Sequence, residues 1–96
     1  MQQNKYVIIR TEKAGVHAGT LVSKDKNEVV LENARRLYYW DGAATLSELA
    51  MKGVKRPSNC KFPMEVLRIT LLGVIEILET TPEARNSLAT VPIWAA

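Results

Sequence analysis

The sequence predicts a mainly β, α+β fold: a small antiparallel sheet curled into a partly closed barrel, with one or two short helices. Three observations predict it. The chain has 96 residues, enough for one small domain spanning 1–96 and little more. From Tyr6 to Trp40, short runs rich in β-branched and aromatic residues alternate with turn-forming residues. Thr45 and Thr81 each open a helix-start signature. About five strands in so short a chain must curl to bury one face, and closure would hide the strand edges.

The elements follow in order. Tyr6-Val7-Ile8-Ile9-Arg10 is compact and β-branched and reads as the first strand, with a turn at Ala14-Gly15. Apolar and small or polar residues alternate over Val16–Val22, and Asp25-Lys26-Asn27 suits the turn of an antiparallel hairpin. Glu28–Glu32 resumes as a strand and Leu37–Trp40 supplies an aromatic one. After the Asp41-Gly42 turn, Thr45 with Glu48 forms a capping-box pattern, Leu46, Leu49 and Ala50 recur at helical spacing, and Gly53 ends the helix. Lys55–Asn59 is a loop around Pro57, Phe62–Thr70 is extended behind Pro63, and Val74–Leu78 is the last strand. Thr81-Pro82-Glu83 starts a final helix that ends near Thr90, followed by the uncharged tail Val91-Pro92-Ile93-Trp94.

The net charge of +3 is unevenly spread: residues 1–61 carry +5 and residues 62–96 carry −2. A basic N-terminal portion favours anionic partners. Cys60 is the single cysteine, so no internal disulfide can form and a reducing cytoplasm suits the chain. The start, Met1-Gln2-Gln3-Asn4-Lys5, lacks a signal-peptide pattern, and Ile69–Ile75 is too short an apolar run to span a bilayer. No membrane partner is expected.

Catalytic groups are sparse. His17 is the sole histidine, Ser47 lacks a nucleophile-elbow context, and the carboxylates are scattered. No metal site, cofactor or enzymatic activity is expected. Binding groups are denser: Arg35-Arg36 precede Leu37-Tyr38-Tyr39-Trp40 and the small-residue turn Gly42-Ala43-Ala44. Guanidinium groups pair with phosphates and aromatic faces stack on bases, so the cluster suits a nucleotide-like ligand. On a strand, Arg36, Tyr38 and Trp40 share one face while Leu37 and Tyr39 take the buried one. Gly42, Ala43 and Ala44 permit close approach of a ligand to the backbone. The free amides at the start of the Thr45 helix favour an anion. His17, between Gly15 and Gly19, completes the candidate ligand site, and Lys55-Arg56 is a second basic spot. The same aromatics could instead fill the core. An exposed Ile93-Trp94 would be sticky, so the tail is expected to pack across a subunit boundary of a homo-oligomer.

Two resemblances add to this reading. Ala14–Gly19, Asn33–Arg36, Tyr39–Ser47 and Asn59–Phe62, with Val91–Trp94, resemble recurrent segments of a family of short phage and prophage proteins. That resemblance implies a viral accessory protein in the host bacterial cytosol. Gly19–Asp25 followed by Val29–Ala34 is similar to the first motif of the Sm-like RNA-binding barrels, which implies an SH3/Sm-like barrel and a ring-like oligomer. The leading expectation is a non-enzymatic phage accessory protein. It would bind a small anionic ligand such as a cyclic nucleotide, sequestering an immune second messenger. A nucleic-acid-binding barrel and an inhibitor of a host protein are the alternatives.

Overall fold

In a computed structural model describing residues 4–95, five strands form one antiparallel sheet. They are β1 (Tyr6–Thr11), β2 (Val16–Asp25), β3 (Glu28–Arg36), β4 (Val66–Leu72) and β5 (Val74–Glu79). Helix α1 (Leu46–Lys52) and a 3₁₀ turn (Pro57–Asn59) lie between β3 and β4, and helix α2 (Pro82–Thr90) follows β5. Among the described residues no helix is long and apolar enough to cross a membrane.

β1 is buried on both faces, which is why Val7-Ile8-Ile9 is continuously apolar rather than alternating. Tyr6 and Ile8 join Leu37, Leu49, Phe62, Leu88 and Val91 in a core between the sheet and the helices. Val7 and Ile9 join Val29, Leu31, Ala34 and Leu71 in a second core inside the concave sheet. Each cluster removes apolar surface from water, at about 25 cal/mol per Å².

The expected partly closed barrel is not formed. The strand order is β4-β3-β2-β1-β5, with β4 and β5 at the two edges, so the curled sheet stays open. The reason lies in their connection. β4 and β5 are consecutive and separated only by Gly73, which takes φ 71°. A one-residue link cannot fold two strands back into a hairpin, which needs a loop of at least about two residues. The corner is instead held from both sides. The Glu12 amide donates to the Gly73 carbonyl at 2.9 Å, and the Val74 amide donates to the Asn27 carbonyl at 2.9 Å.

Two bulges curl the sheet. Between the pairs Ala18–Arg35 and Thr20–Glu32, β3 holds one residue more than β2. Asn33 absorbs it at φ 50°, a left-handed conformation that Asn tolerates better than most side chains. Between Leu21–Leu31 and Ser23–Val30 the extra residue is on β2. Such insertions bend the strand and sharpen its twist. The Asn33 bulge also shifts the inward and outward pattern by one. Val29, Leu31 and Ala34 face the concave core, and Arg35 and Leu37 turn to the helical side.

The predicted aromatic strand over Leu37–Trp40 is absent, because β3 ends at Arg36. Only Tyr39 pairs further, exchanging hydrogen bonds with Lys61 at 3.3 and 2.8 Å. The extended segment expected from Phe62 begins as a strand at Val66, and Phe62 itself bridges in parallel to Ile93. Both helix starts form as their sequences predict. Thr45 Oγ1 accepts from the Glu48 amide at 3.1 Å, and Thr81 Oγ1 accepts from the Ala84 amide at 3.0 Å with Pro82 in the first turn.

Candidate ligand groove

β3 delivers two adjacent arginines to opposite fates. Arg35 is 3% exposed, and its guanidinium donates to four backbone carbonyls. These are Phe62 at 2.9 Å, Pro63 at 3.3 Å, Leu88 at 3.1 Å and Val91 at 2.8 Å. It also lies over the Phe62 ring, 5.4 Å from the centroid. Burial pulls its pKa down, with the Tyr6 and Glu65 side chains acting in the opposite direction. The carbonyls of Leu88 and Val91 belong to the end of α2, where a cation meets the negative pole of the helix. Arg35 is therefore a structural clasp, with four of its five N–H donors given to the backbone.

Arg36 points outward, and its Nη1 donates to the Ala14 carbonyl at 2.9 Å. That contact places the guanidinium beside the β1–β2 turn. Lys13, Gly15, Arg36, Tyr38 and Trp40 then line a groove of about 500 Å³, with Leu37 at its floor. The Leu37 amide donates to the Val16 carbonyl at 2.9 Å, fixing the two walls together. Among the described residues no carboxylate lies within ion-pairing distance of Lys13 or Arg36. The four ion pairs present are Lys5–Glu79, Arg10–Glu76, Arg56–Asp41 and Arg68–Glu32.

The other expected site residues are distributed differently. His17 is 1% exposed and lies outside the groove lining. Its Nε2 is 2.9 Å from the same Ala14 carbonyl, so it supports the turn rather than facing a ligand. Burial lowers its pKa below 6.5, the Ala14 hydrogen bond opposes that shift, and the Arg36 charge adds to it.

Gly42, Ala43 and Ala44 line a separate depression of about 400 Å³ with Trp40, Asp41, Glu48 and Arg56. Gly42 has φ 102°, and a Cβ there would lie 2.4 Å from the Lys55 backbone nitrogen. Close passage of the chain itself explains this glycine. At the helix start the Ala44 amide donates to Glu48 Oε1 at 2.9 Å and the Glu48 amide donates to Thr45 Oγ1 at 3.1 Å. Asp41 accepts from Asn59 Nδ2 at 3.0 Å and from Arg56 Nε at 2.9 Å. The Asn59 hydrogen bond, and then Arg56, hold its carboxyl below the usual range.

Leu37 is buried as expected, but Tyr39 is exposed, so the anticipated buried pair is split. Tyr38 is 64% exposed and stacks on Trp94, with centroids 5.5 Å apart and planes within 9° of parallel. Lys61 Nζ lies 5.9 Å from the Tyr39 ring centroid and 5.6 Å from that of Trp94. Ile93 and Trp94 thus run along their own domain, with the Trp94 amide donating to the Phe62 carbonyl at 3.0 Å. Sequence reasoning missed Lys13, Lys61 and the role of Arg35. The one available signal was Asn33, a residue apt for left-handed backbone inside a strand-like run. Among the described residues no group of three or more His, Cys, Asp or Glu could hold a metal ion.

These features define a small open-sheet α+β domain with a cationic and aromatic groove at one end of β3. Residues 4–88 match the family model described as "Domain of unknown function (DUF6948)", and the chain belongs to that family. No curated protein matches the chain, and no solved structure does. The family description carries no activity and lends no support to the phage, nucleotide or Sm-like expectations.

Proposed function

We propose that this domain is a binding protein for a small anion carrying a planar ring, held without chemical conversion in the groove of Lys13, Arg36, Tyr38 and Trp40. One observation carries the reading: two cations with no carboxylate partner among the described residues share a groove with two aromatic side chains. Arg36 makes one hydrogen bond, to Ala14, so further N–H donors of its fork remain for a phosphate or carboxylate. Gly15 adds a side-chain-free stretch of backbone on the opposite wall. Tyr38 is already stacked on one face by Trp94, so a ligand ring would extend an existing stack.

Thermal-shift screening against cyclic dinucleotides, cyclic trinucleotides and ADP-ribose derivatives tests this. A true ligand at a hundredfold excess over Kd stabilises the fold by about 2.7 kcal/mol. Arg36→Ala and Tyr38→Ala should each abolish most of that shift. No shift with any of these compounds, or a shift unchanged by Arg36→Ala, overturns the reading.

A single-stranded nucleic acid is the second reading, favoured by the aromatic ribbon of Tyr38, Tyr39 and Trp94 with Lys61 running beyond the groove. It requires affinity for oligonucleotides that falls steeply with salt, because phosphate contacts release counterions. Flat fluorescence anisotropy at low salt removes it.

A further inference from the structure

The open sheet leaves two strand edges, and they are unequally protected. β5 carries Glu76 and Glu79, each paired to a cation, and its pairing with β1 is broken by a register shift at Arg10/Thr11. Charges and bulges of this kind keep an edge from pairing with other chains. β4 has neither proline nor bulge over seven residues, and its single charge, Arg68, is drawn sideways to Glu32 on β3. Among the described residues β4 forms a ladder on one side only. Leu67, Leu72 and Val66 are exposed on it, and Leu67, at 86%, is the most exposed large apolar side chain described.

Leu67 has the same parity as Ile69 and Leu71, which pack into the concave core. It is an inward-facing side chain at the end of a strand, and none of the described residues covers it. At the other end of β4, Thr70, Leu71, Leu72 and Gly73 line a depression of about 480 Å³ with Glu12, Lys13 and Ala14 of the β1–β2 turn. A knob and a hole thus lie at opposite ends of one edge.

We infer that β4 pairs antiparallel with β4 of a second copy, about a two-fold axis at Ile69, joining two open sheets into one continuous sheet of ten strands. This register sets Leu67 opposite Leu71 of the second copy, at the mouth of the depression, and Val66 opposite Leu72. It sets Arg68 opposite Thr70; the two Arg68 side chains lie on a diagonal about the axis, each paired with Glu32 of its own sheet. Each knob enters the other copy's hole, which is the self-complementarity a two-fold interface demands. The pairing supplies the hydrogen-bond partners that the outer side of β4 lacks, and it covers Leu67. It does not use the tail: Trp94 is engaged by Tyr38 of its own chain. The depression shares Lys13 and Ala14 with the ligand groove, but the strand pairing itself uses β4 alone.

Sedimentation velocity on the full chain should show a concentration-dependent dimer. Leu67→Asp should keep the native far-UV circular dichroism, because the side chain is exposed, and raise the dimer dissociation constant at least about tenfold. Mixing Arg68→Cys with Thr70→Cys chains under mild oxidation should give a disulfide-linked dimer far more readily than either variant alone. Buried Cys60 is left in place, with the unmodified chain as control. A chain that stays monomeric up to about 1 mM, a dimer indifferent to Leu67→Asp, or a mixture that fails to cross-link would each overturn the inference. A ring larger than two, pairing β4 with β5, would do so as well.

Discussion

Arg35 and Arg36 are neighbours with the same side chain, yet one is spent on the fold and the other is left for the surface. Arg35 gives its donors to four carbonyls from two distant segments. Arg36 gives one hydrogen bond to a nearby turn and faces a groove. The difference comes from Asn33, whose bulge turns Arg35 toward the helices. A buried guanidinium has lost its water and must be fully satisfied, whereas an exposed one has not. Adjacent cations in a sequence therefore need separate accounts.

The sharpest way to break the contrast is Arg35→Ala. It strands four carbonyls and opens a cavity, so we expect a loss of about 3–5 kcal/mol in urea unfolding. A loss below about 1 kcal/mol would mean that the clasp is dispensable. Asn33→Val comes next. A β-branched residue at positive φ should cost about 1–2 kcal/mol, while Asn33→Gly should be nearly neutral. Equal behaviour of the two variants would remove the bulge from the explanation.

A pH series sharpens the support beneath Arg36. His17 has a folded pKa below its unfolded value of 6.5, so the unfolded chain binds the extra proton first. Stability is then complete above pH 6.5 and falls as the pH drops from 6.5 toward the folded pKa. His17→Gln should flatten that slope in thermal unfolding at pH 5 to 7.5. The smallest stability effect belongs to Arg36→Ala, within about 0.5 kcal/mol, although ligand binding should suffer. A large loss of stability there would make Arg36 structural too.

The parts legible in the sequence are those governed by neighbouring residues. Thr45 with Glu48, Thr81 with Pro82, and the Asp25-Lys26-Asn27 turn declare themselves because caps and turns use chemistry a few positions away. The tight Gly73 corner was missed, and with it the open edges, since closure depends on where two strands travel after the turn. The face pattern at Arg36, Tyr38 and Trp40 was half legible. Arg36 and Tyr38 are exposed, but Trp40 packs partly against the core and Tyr39 is exposed. A single inserted residue upstream flips parity, and strand β3 stops before the aromatics begin. At the start of the Thr45 helix, Glu48, the residue that marks the cap, also accepts from the Ala44 amide just before it.

The clasp of Arg35 also sets a condition on how the domain is made. Two of its acceptors, Leu88 and Val91, lie 53 and 56 positions further along the chain. The β1–β2 and β2–β3 pairings join neighbours in the chain, whereas the Nη1 donors of Arg35 find their acceptors only once residues 88 and 91 are in place. The contacts that complete the core between sheet and helices therefore span more than fifty residues, and the entropy of closing so long a stretch must be met before they can form.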